Sequence, residues 1–366
     1  MDKPDLLVIG GGIFGLWVAR EGLRAGMSVV LADKAEPGQG ASATPLGVLM
    51  PHMPAGWSAM KAFQLAALMS LAQEAEALAA ETGASPFYRR PGRLTPLRKA
   101  EARVRAEAQI TEAAHLWGAA GRLEVLDELP EAAACLASER APFGWLHETL
   151  TAHVDARAYL TCLRASVAVG ADLRLGWRAE GPGGAPGEIL FNRGSLTARH
   201  VVIAAGWQSR NIAPFQAERG VKGQAARLSA QLPEGMPVIH APGLFIVRQG
   251  AGEVAVGSTS ERVWQDPDPD AALEPVIAAA RELCPPLVPA TVTSRWSGIR
   301  PKGPRPEPVV GPLPGHKEIW IASGGYKIGL GIAHHVAKAL IGAIAGDPQA
   351  PPLPPEFAPL PLEGPG

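Results

Sequence analysis

Three glycines near the amino terminus form the first pattern with a chemical use. Gly10, Gly12 and Gly15 lie between an apolar run, LLVIG, and a segment from Ile13 to Ala25 with helical periodicity. The first glycine permits a tight turn, the second lets the backbone approach a diphosphate, and the third lets helix and strand pack closely. The amino-terminal end of the helix would offer N–H groups and a positive dipole end to phosphates. The pattern therefore predicts a dinucleotide site.

Asp33 lies 18 residues beyond Gly15, at the end of a second apolar run, SVVLAD. Strand, glycine turn, helix and strand in this order make a βαβ unit, and an acidic residue at this position can accept hydrogen bonds from ribose hydroxyls. A carboxylate there disfavours a 2′-phosphate, so NADP is not expected. The unit alone does not separate FAD from NAD.

Composition bounds the class of protein. The chain has 366 residues, 47% hydrophobic and 19% charged, with a formal net charge of −1. The length favours two structural units, and Lys and Arg are spread along the chain, so no nucleic-acid partner is expected. Three cysteines without a CxxC pair argue against a disulfide framework or a zinc–thiolate site. No signal-peptide pattern and no membrane-spanning apolar stretch are seen, so we expect a cytoplasmic protein without a membrane partner.

Apolar periodicity predicts the elements that position the glycines and Asp33. Helices are expected over 58–81, 100–120, 155–168 and 328–345, and strands over 171–175, 198–206 and 318–323. Between them, short strands separated by Gly and Pro suggest an antiparallel sheet, namely VKGQAARLSA, GLFIVRQG, EVAVGST and ATVTSRWSGIR. The proline-rich end predicts an extended or disordered tail. The neighbours His334 and His335 point different ways on a helix, so no metal site is expected.

Six blocks resemble the D-amino-acid oxidase family of flavoproteins, which includes glycine oxidase and monomeric sarcosine oxidase. In chain order they are GQGASATPLGVLMP, HVDARAYLTCL, VVIAAGWQS, VKGQ, WSGIRPKGPRPEPVVGPLPG and SGGYKIGLGIAHHVAKAL. The resemblance covers both ends and the middle of the chain. It is specific for the family but not for a substrate.

The resemblance implies a fold of class α/β plus α+β, with a Rossmann-type FAD-binding domain and an inserted antiparallel-sheet substrate domain. The expected FAD-binding segments are 1–82, 151–215 and 299–348, the substrate-domain segments are 83–150 and 216–298, and the tail is 349–366. In sarcosine oxidase a cysteine between the last two blocks carries the flavin. This chain has no cysteine between Arg300 and Tyr326, so non-covalent FAD is expected.

The resemblance also places the cofactor contacts. Residues of the glycine turn, of the second strand end and of the later blocks are expected to bind FAD, namely Gly10, Gly12, Ile13, Phe14, Gly15, Asp33, Lys34, Ala41, Ser42, Gly47, Ala205, Gly206, Trp207, Gly298, Arg300, Gly325, Tyr326, Lys327, Ile328 and Gly329. The backbone from Tyr326 to Gly329 is expected at the pyrimidine edge of the flavin.

Four side chains are candidates for the chemistry. Arg300 falls at the family position that binds the substrate carboxylate, and a guanidinium can grip a carboxylate with two parallel hydrogen bonds. Lys327 lies where relatives carry an arginine or lysine that meets the carboxylate. Tyr326 could stack or hydrogen-bond near the ring, or simply pack. His52, in MPHMP, could face the flavin or abstract a proton, although locally satisfied histidines are common.

The sequence therefore predicts an FAD-dependent oxidoreductase that oxidises a small amine or amino acid. Departures from the family pattern leave the substrate, the electron acceptor and the oligomeric state open: an arginine-rich stretch of sarcosine oxidase is replaced by GVLMPHMPAGW, and the pocket tyrosines of amino-acid oxidases lack a counterpart. One alternative is the FAD-dependent half of the bifunctional tRNA methylaminomethyl-thiouridine enzyme, whose corresponding loop is similar. Others are a flavoprotein without catalysis of its own and an NAD-dependent dehydrogenase.

Overall fold

The computed structural model describes residues 3–215 and 219–361. In these residues the α-helices are α1 (Ile13–Arg24), α2 (Ala59–Thr82), α3 (Ala100–Ala108), α4 (Ile110–Trp117), α5 (Ala156–Ala168), α6 (Glu274–Leu283) and α7 (Gly329–Ala345). The strands are β1 (Leu6–Ile9), β2 (Val29–Asp33), β3 (Val48–Leu49), β4 (Arg93–Pro96), β5 (Leu123–Leu126), β6 (Trp145–Glu148), β7 (Ala152–His153), β8 (Asp172–Leu175), β9 (Ala179–Pro182), β10 (Glu188–Phe191), β11 (Gly194–Thr197), β12 (His200–Ile203), β13 (Arg219–Ser229), β14 (Val238–Ala241), β15 (Leu244–Gly250), β16 (Glu253–Gly257), β17 (Thr291–Lys302), β18 (Val309–Pro312) and β19 (Ile319–Ser323).

A six-stranded sheet carries the glycine turn, in the order β18-β19-β12-β1-β2-β8. β1 lies at its centre, parallel to β2 and β12, and β18 is an antiparallel edge strand. Side chains alternate across the sheet. Leu6 and Val8 therefore pack in the core that also contains α1, α2, α5 and α7, while Leu7 and Ile9 pack toward the small sheet β11-β10-β9.

The second sheet has eight strands in the order β17-β13-β16-β15-β14-β4-β6-β5. Most of its pairs are antiparallel, while β14 joins β4 in parallel. β13 and β17 pair along their whole length, from Arg219 opposite Lys302 to Ser229 opposite Thr291. The two strands agree with the predicted segments VKGQAARLSA and ATVTSRWSGIR to within two residues at each end. The predicted fold class is confirmed: a Rossmann-type parallel sheet stands beside a largely antiparallel one.

The predicted single helix over 100–120 is wrong, because the structure has two helices there. α3 ends at Ala108, the N–H of Gln109 donates to the carbonyl of Ala106, and α4 begins at Ile110. α3 buries only Ala106, whereas α4 buries Ala113 and Trp117 in a core shared with Leu123. A break lets the second half bury its apolar side chains while the first stays on the surface.

The proline-rich tail packs on the protein as far as it is described. It is extended except for a short 3-10 turn over Pro355–Phe357, and Phe357 is fully buried with its ring 5.2 Å from that of Phe63. Arg305 holds the tail by donating Nη2 hydrogen bonds to the carbonyls of Glu356 and Ala358, at 2.6 and 3.0 Å. The described tail is thus largely extended, as predicted, and Phe357 anchors it in the core. Residues 362–366 of the predicted tail lie outside the described residues.

Candidate active site

A cavity of about 1020 Å³ lies at the carboxyl end of the parallel strands and extends to β17. This size is at the upper end of the range for ligand pockets, about 300–1,000 Å³. Its walls come from both ends of the chain and from the second sheet. Open parallel sheets bind their ligands at this edge, where the strand order reverses.

The glycine turn is shaped by close backbone packing. Gly10 has φ +103°, and a Cβ at this position would lie 2.6 Å from the carbonyl oxygen of Ala204. A Cβ on Gly15 would lie 1.7 Å from the oxygen of Gly10, so helix α1 could not approach β1. Gly12 is different, because its Cβ would meet only Ser42 Oγ, at 3.6 Å. The space beside Gly12 is therefore open to a ligand.

The amino-terminal end of α1 faces this space. The residue before α1, Gly12, has no side chain to cap the helix, and the first turn of α1 has no acidic residue. Ser42, from the short turn Ala41–Ala43, accepts a hydrogen bond from the Ile13 N–H at 3.0 Å and fixes that loop beside the helix. The positive end of the helix dipole is thus available to an anion.

Asp33 is held rigidly at the end of β2. One carboxylate oxygen accepts from the N–H of Gly11, and the other accepts from the N–H of Ala35 at 2.9 Å. Each oxygen keeps a further acceptor position. Asp33 also lines the cavity, so it can take hydroxyl donors from a ribose without moving.

The two ends of the chain meet at the cavity. A Cβ on Gly325 would lie 2.8 Å from the Phe14 ring, so α1 touches the segment before α7. Tyr326 follows in a left-handed conformation, with φ +38°, and its N–H donates to the Pro301 carbonyl at 3.0 Å. A non-glycine residue in this conformation is strained, and such strain is commonly found at functional sites.

Arg300 lies on β17 with its guanidinium against Gly223 of β13. A Cβ on Gly223 would lie only 2.0–2.1 Å from the guanidinium atoms. Arg300 Nη1 donates to the carbonyl of Thr259 at 3.1 Å, and burial lowers the pKa of Arg300 below its ordinary value. An arginine remains charged under these conditions. The wall of the cavity therefore presents a desolvated cation.

A polar network supports the segment that carries Thr259. Lys222, only 1% exposed, forms an ion pair with Asp270 at 2.6 Å. Gln224 bonds to both Glu261 and Asp270, at 2.9 and 2.8 Å. The hydrogen bond from Lys222 is the main cause that lowers the pKa of Asp270 to about 2. Lys222 and Gln224 belong to the VKGQ block and act here through the Thr259 segment.

Lys327 is exposed at the cavity wall, with Nζ 5.5 Å from the Tyr326 ring centroid. Together with Arg300 it places two cations on this part of the wall. Aromatic side chains also line the cavity, and sequence reasoning missed Trp177, Phe245 and Trp296. Trp296 begins the WSGIRP block, which was a usable signal. Phe245 gave none, because alternating apolar residues are common in strands. Trp177 gave none either, as a single aromatic residue in the loop between β8 and β9.

Most of the predicted cofactor and catalytic residues are brought together in this cavity. Those on its wall are Gly10, Gly12, Ile13, Phe14, Asp33, Lys34, Ala41, Ser42, Ala205, Gly206, Trp207, Gly298, Arg300, Gly325, Tyr326, Lys327 and Gly329. Gly15, Gly47 and Ile328 are not on the wall. A Cβ on Gly47 would lie 1.9 Å from the Val154 carbonyl oxygen, so its position is set by backbone packing.

His52 is also absent from the cavity wall. Its Nδ1 lies against Gln64 Oε1, which also accepts from the His52 backbone N–H at 3.0 Å. Burial lowers the pKa of His52, so the ring is neutral near pH 7. The arrangement is that of a locally satisfied histidine that fixes the MPHMP loop.

Fold and cavity thus define a protein that binds a dinucleotide cofactor across a Rossmann-type sheet and faces it with a second sheet. The family model for FAD-dependent oxidoreductases matches residues 5–342. The chain therefore belongs to the FAD-dependent oxidoreductase family, whose members of the glycine-oxidase type act on CH–NH or CH–NH2 donors.

The chain is similar to known members along most of its length. It is 29% identical over 361 residues to a glycine oxidase from Pseudomonas aeruginosa, covering 93% of this chain and 94% of the relative. It is 26% identical to the bifunctional tRNA 5-methylaminomethyl-2-thiouridine biosynthesis protein MnmC of Paracidovorax citrulli, but covers only 58% of that protein. The solved glycine oxidase from Geobacillus kaustophilus superposes with a TM-score of 0.88, at 21% identity and 98% coverage of both chains.

The cavity fits FAD, the cofactor of this family. Backbone can reach a diphosphate beside Gly12 and the positive end of α1, and Asp33 offers acceptors to a ribose. Beyond the glycine turn and Asp33, the cavity continues past Tyr326 to the guanidinium of Arg300.

Proposed function

We propose that this enzyme oxidises a small amine or amino acid of the glycine, sarcosine or D-amino-acid type, by hydride transfer from the substrate α-carbon to FAD. The electrons then pass to oxygen or to another acceptor. The observation that carries the proposal is the half-buried Arg300 guanidinium on the wall of a cavity that also holds the dinucleotide turn.

Arg300 anchors the substrate carboxylate in this proposal. One nitrogen of its guanidinium is held by the Thr259 carbonyl, which leaves the other donors to grip a carboxylate in parallel. The pairing is strong because burial removes competing water. Lys327 adds a second, more mobile positive charge. Fixing the carboxylate fixes the α-carbon, and orientation of this kind is the main contribution of the protein when a cofactor supplies the redox chemistry.

The two cavity-lining segments that carry Arg300 and Lys327, residues 296–301 and 325–327, contain neither a carboxylate nor an imidazole. These segments therefore offer the substrate amine no carboxylate or histidine base. The amine must therefore be neutral when it meets the flavin, having left its proton in water. We propose that the aromatic walls, Trp296 and Phe245, favour this neutral form by excluding water.

The experiment that tests the proposal is anaerobic mixing of the yellow holoenzyme with a panel of glycine, sarcosine, D-alanine, D-proline and simple amines. Bleaching of the oxidised-flavin absorbance by carboxylate-bearing amines supports the proposal. Indifference to the whole panel contradicts it and favours a flavoprotein without catalysis of its own. Release of NAD rather than FAD on denaturation would favour the dehydrogenase alternative.

A second candidate is oxidation of an aminomethyl group on tRNA, which rests on the similarity to the tRNA 5-methylaminomethyl-2-thiouridine biosynthesis protein MnmC. Such a group carries the amine nitrogen that the proposed oxidation requires. The chain spans 58% of that bifunctional protein. Flavin bleaching by modified tRNA, but not by free amino acids, would favour this candidate.

A further inference from the structure

A buried arginine, Arg93, lies behind the cavity wall. Arg93 begins β4 and is 5% exposed. Its Nε forms an ion pair with Glu148 Oε1 at 3.1 Å. An arginine–carboxylate pair often uses two guanidinium nitrogens in parallel, but here the ion pair is formed by Nε.

Glu148 is satisfied without further help from Arg93. Its Oε2 accepts from the N–H groups of Leu150 and Thr151, at 2.7 and 3.0 Å, and its Oε1 accepts from the Thr151 hydroxyl. At 1% exposure, this carboxylate is saturated by neighbours on its own strand end. The outer side of Arg93 is therefore not committed to Glu148.

The two terminal nitrogens of Arg93 face methionine sulfurs. Nη1 lies 3.1 Å from Met50 Sδ, and Nη2 lies 3.4 Å from Met53 Sδ. In the described residues these sulfurs are the only recorded partners of Nη1 and Nη2. A thioether is a weak acceptor, and a buried cation that meets only thioethers lacks compensation on that side.

Met50 separates this cation from the cavity, because its side chain lines the wall. The main chain of Met50 is fixed, since its carbonyl accepts from Gln64 Nε2 at 2.8 Å, but methionine side chains repack easily. The pKa of His240 is lowered to about 4, mainly by burial and then by the positive charges of Arg93 and Lys327. The imidazole is therefore neutral and supplies no opposing or competing charge.

We propose that Arg93 is a second anion anchor, reached when Met50 and Met53 turn aside, and that the enzyme accepts amines carrying a second, distal carboxylate. This inference rests on the proposed function. Arg300 would hold the α-carboxylate and Arg93 the distal one, replacing two weak sulfur contacts by charge-assisted hydrogen bonds. The substrate class is a dicarboxylic amine, such as iminodiacetate or an acidic amino acid.

Binding without turnover tests the anchor. Purified holoenzyme is titrated with glutarate and, separately, with butyrate at constant ionic strength, and binding is followed by the change in flavin absorbance. We expect glutarate to bind at least about tenfold more tightly, in line with one charge-assisted contact. Equal affinities in the wild type would overturn the proposal. Because these acids are not oxidised, the result stands whether or not the proposed function holds.

Variants locate the preference. The double variant Arg93→Met with Glu148→Gln removes both charges together, so that no buried carboxylate is left unpaired. It should lose the glutarate preference and keep its butyrate affinity within about twofold, whereas Arg98→Met, on the exposed surface nearby, should keep both. Should the double variant fail to fold, Met50→Ile replaces the mobile side chain by a stiff one and should lower the preference. If the glutarate preference survives in Met50→Ile, and in the double variant where it folds, the distal carboxylate binds at a site other than Arg93.

Turnover provides the separate test of the function. The ratio of kcat/KM for iminodiacetate to that for sarcosine should fall at least about tenfold in the double variant, through KM. A purely structural role of Arg93 would lower both rates alike.

Discussion

Gly223 and Arg300 share one space across the β13–β17 pair, since a Cβ on Gly223 would lie 2.0 Å from Arg300 Nη2. The glycine is needed for room rather than for backbone freedom. The position of the Arg300 guanidinium, the proposed carboxylate anchor, thus depends on the absence of a side chain on the neighbouring strand.

Gly223→Ala should displace the Arg300 guanidinium and leave FAD bound. We expect reduction of the flavin by carboxylate substrates to slow by about 10- to 100-fold, as for loss of a charge-assisted contact worth about 1.5–3 kcal/mol. Stopped-flow anaerobic reduction measures the effect. Gly184→Ala is the matched control, because a Cβ there meets nothing within 4 Å. Equal rates in both variants would show that Arg300 does not hold the substrate.

Arg300→Ala should retain FAD and lose a similar factor toward carboxylate substrates, while amines without a carboxylate lose little. Arg300→Lys should recover part of the rate, because a point charge replaces the fork. Arg295→Ala, on the same strand, removes an arginine that pairs with exposed Glu274 and serves as the control. Unchanged kinetics in Arg300→Ala would remove this residue from the site.

Gly12→Ala and Gly15→Ala should fail in different ways. A Cβ on Gly12 has room in the folded chain, so we expect normal thermal unfolding of the apoprotein but at least about tenfold weaker FAD binding. A Cβ on Gly15 meets the Gly10 carbonyl, so that variant should unfold at lower temperature even without cofactor. Calorimetry of the apoproteins and fluorescence titration with FAD separate the two effects. FAD affinity unaltered in Gly12→Ala would place the diphosphate elsewhere.

Acid should destabilise the protein through His334. Its Nε2 contacts the Ala67 carbonyl and Ser70 Oγ, and burial lowers the pKa of His334 to about 3. The unfolded chain binds this proton near pH 6.5 and the folded chain does not, so the free energy of unfolding falls as pH drops below about 6.5 and is flat above it. One pKa unit corresponds to about 1.4 kcal/mol, so the loss at pH 4.5, two units below 6.5, is about 3 kcal/mol.

His334→Gln tests this linkage, because an amide can donate to Ala67 without titrating. Urea unfolding at pH 4.5 and 7.5 should show a smaller difference in the variant than in the wild type. The exposed His115→Gln should leave the difference as it is. The same pH dependence in all three proteins would assign acid sensitivity to other groups.

Local patterns predicted many residues that the structure places on the cavity wall. The glycine turn and Asp33 lie within one βαβ unit, where spacing along the chain determines spacing in space, and Arg300 was singled out through the block around it. The contacts of Arg93 could not be found in this way. Met50 is 43 residues away from it in sequence, and only the approach of β4 to the loop after β3 brings the sulfurs to the guanidinium.

The predicted role of His52 and the single helix over 100–120 show the same limit. His52 looked available because nothing in MPHMP marks Gln64 as its partner, 12 residues further on. The break at Gln109 depends on which half of the segment can reach the core around Leu123 and Leu150. Propensity is nearly uniform over this alanine-rich stretch, so tertiary packing decides.

The contact between Phe14 and Gly325 has a consequence for the order of events during synthesis. The amino-terminal unit leaves the ribosome early, yet the crevice acquires its final wall only once the segment around residue 325 has emerged. With FAD placed as proposed, retention of the flavin would therefore report on a completed polypeptide, because a product that ends before residue 325 would carry the glycine turn but lack this wall of the cavity.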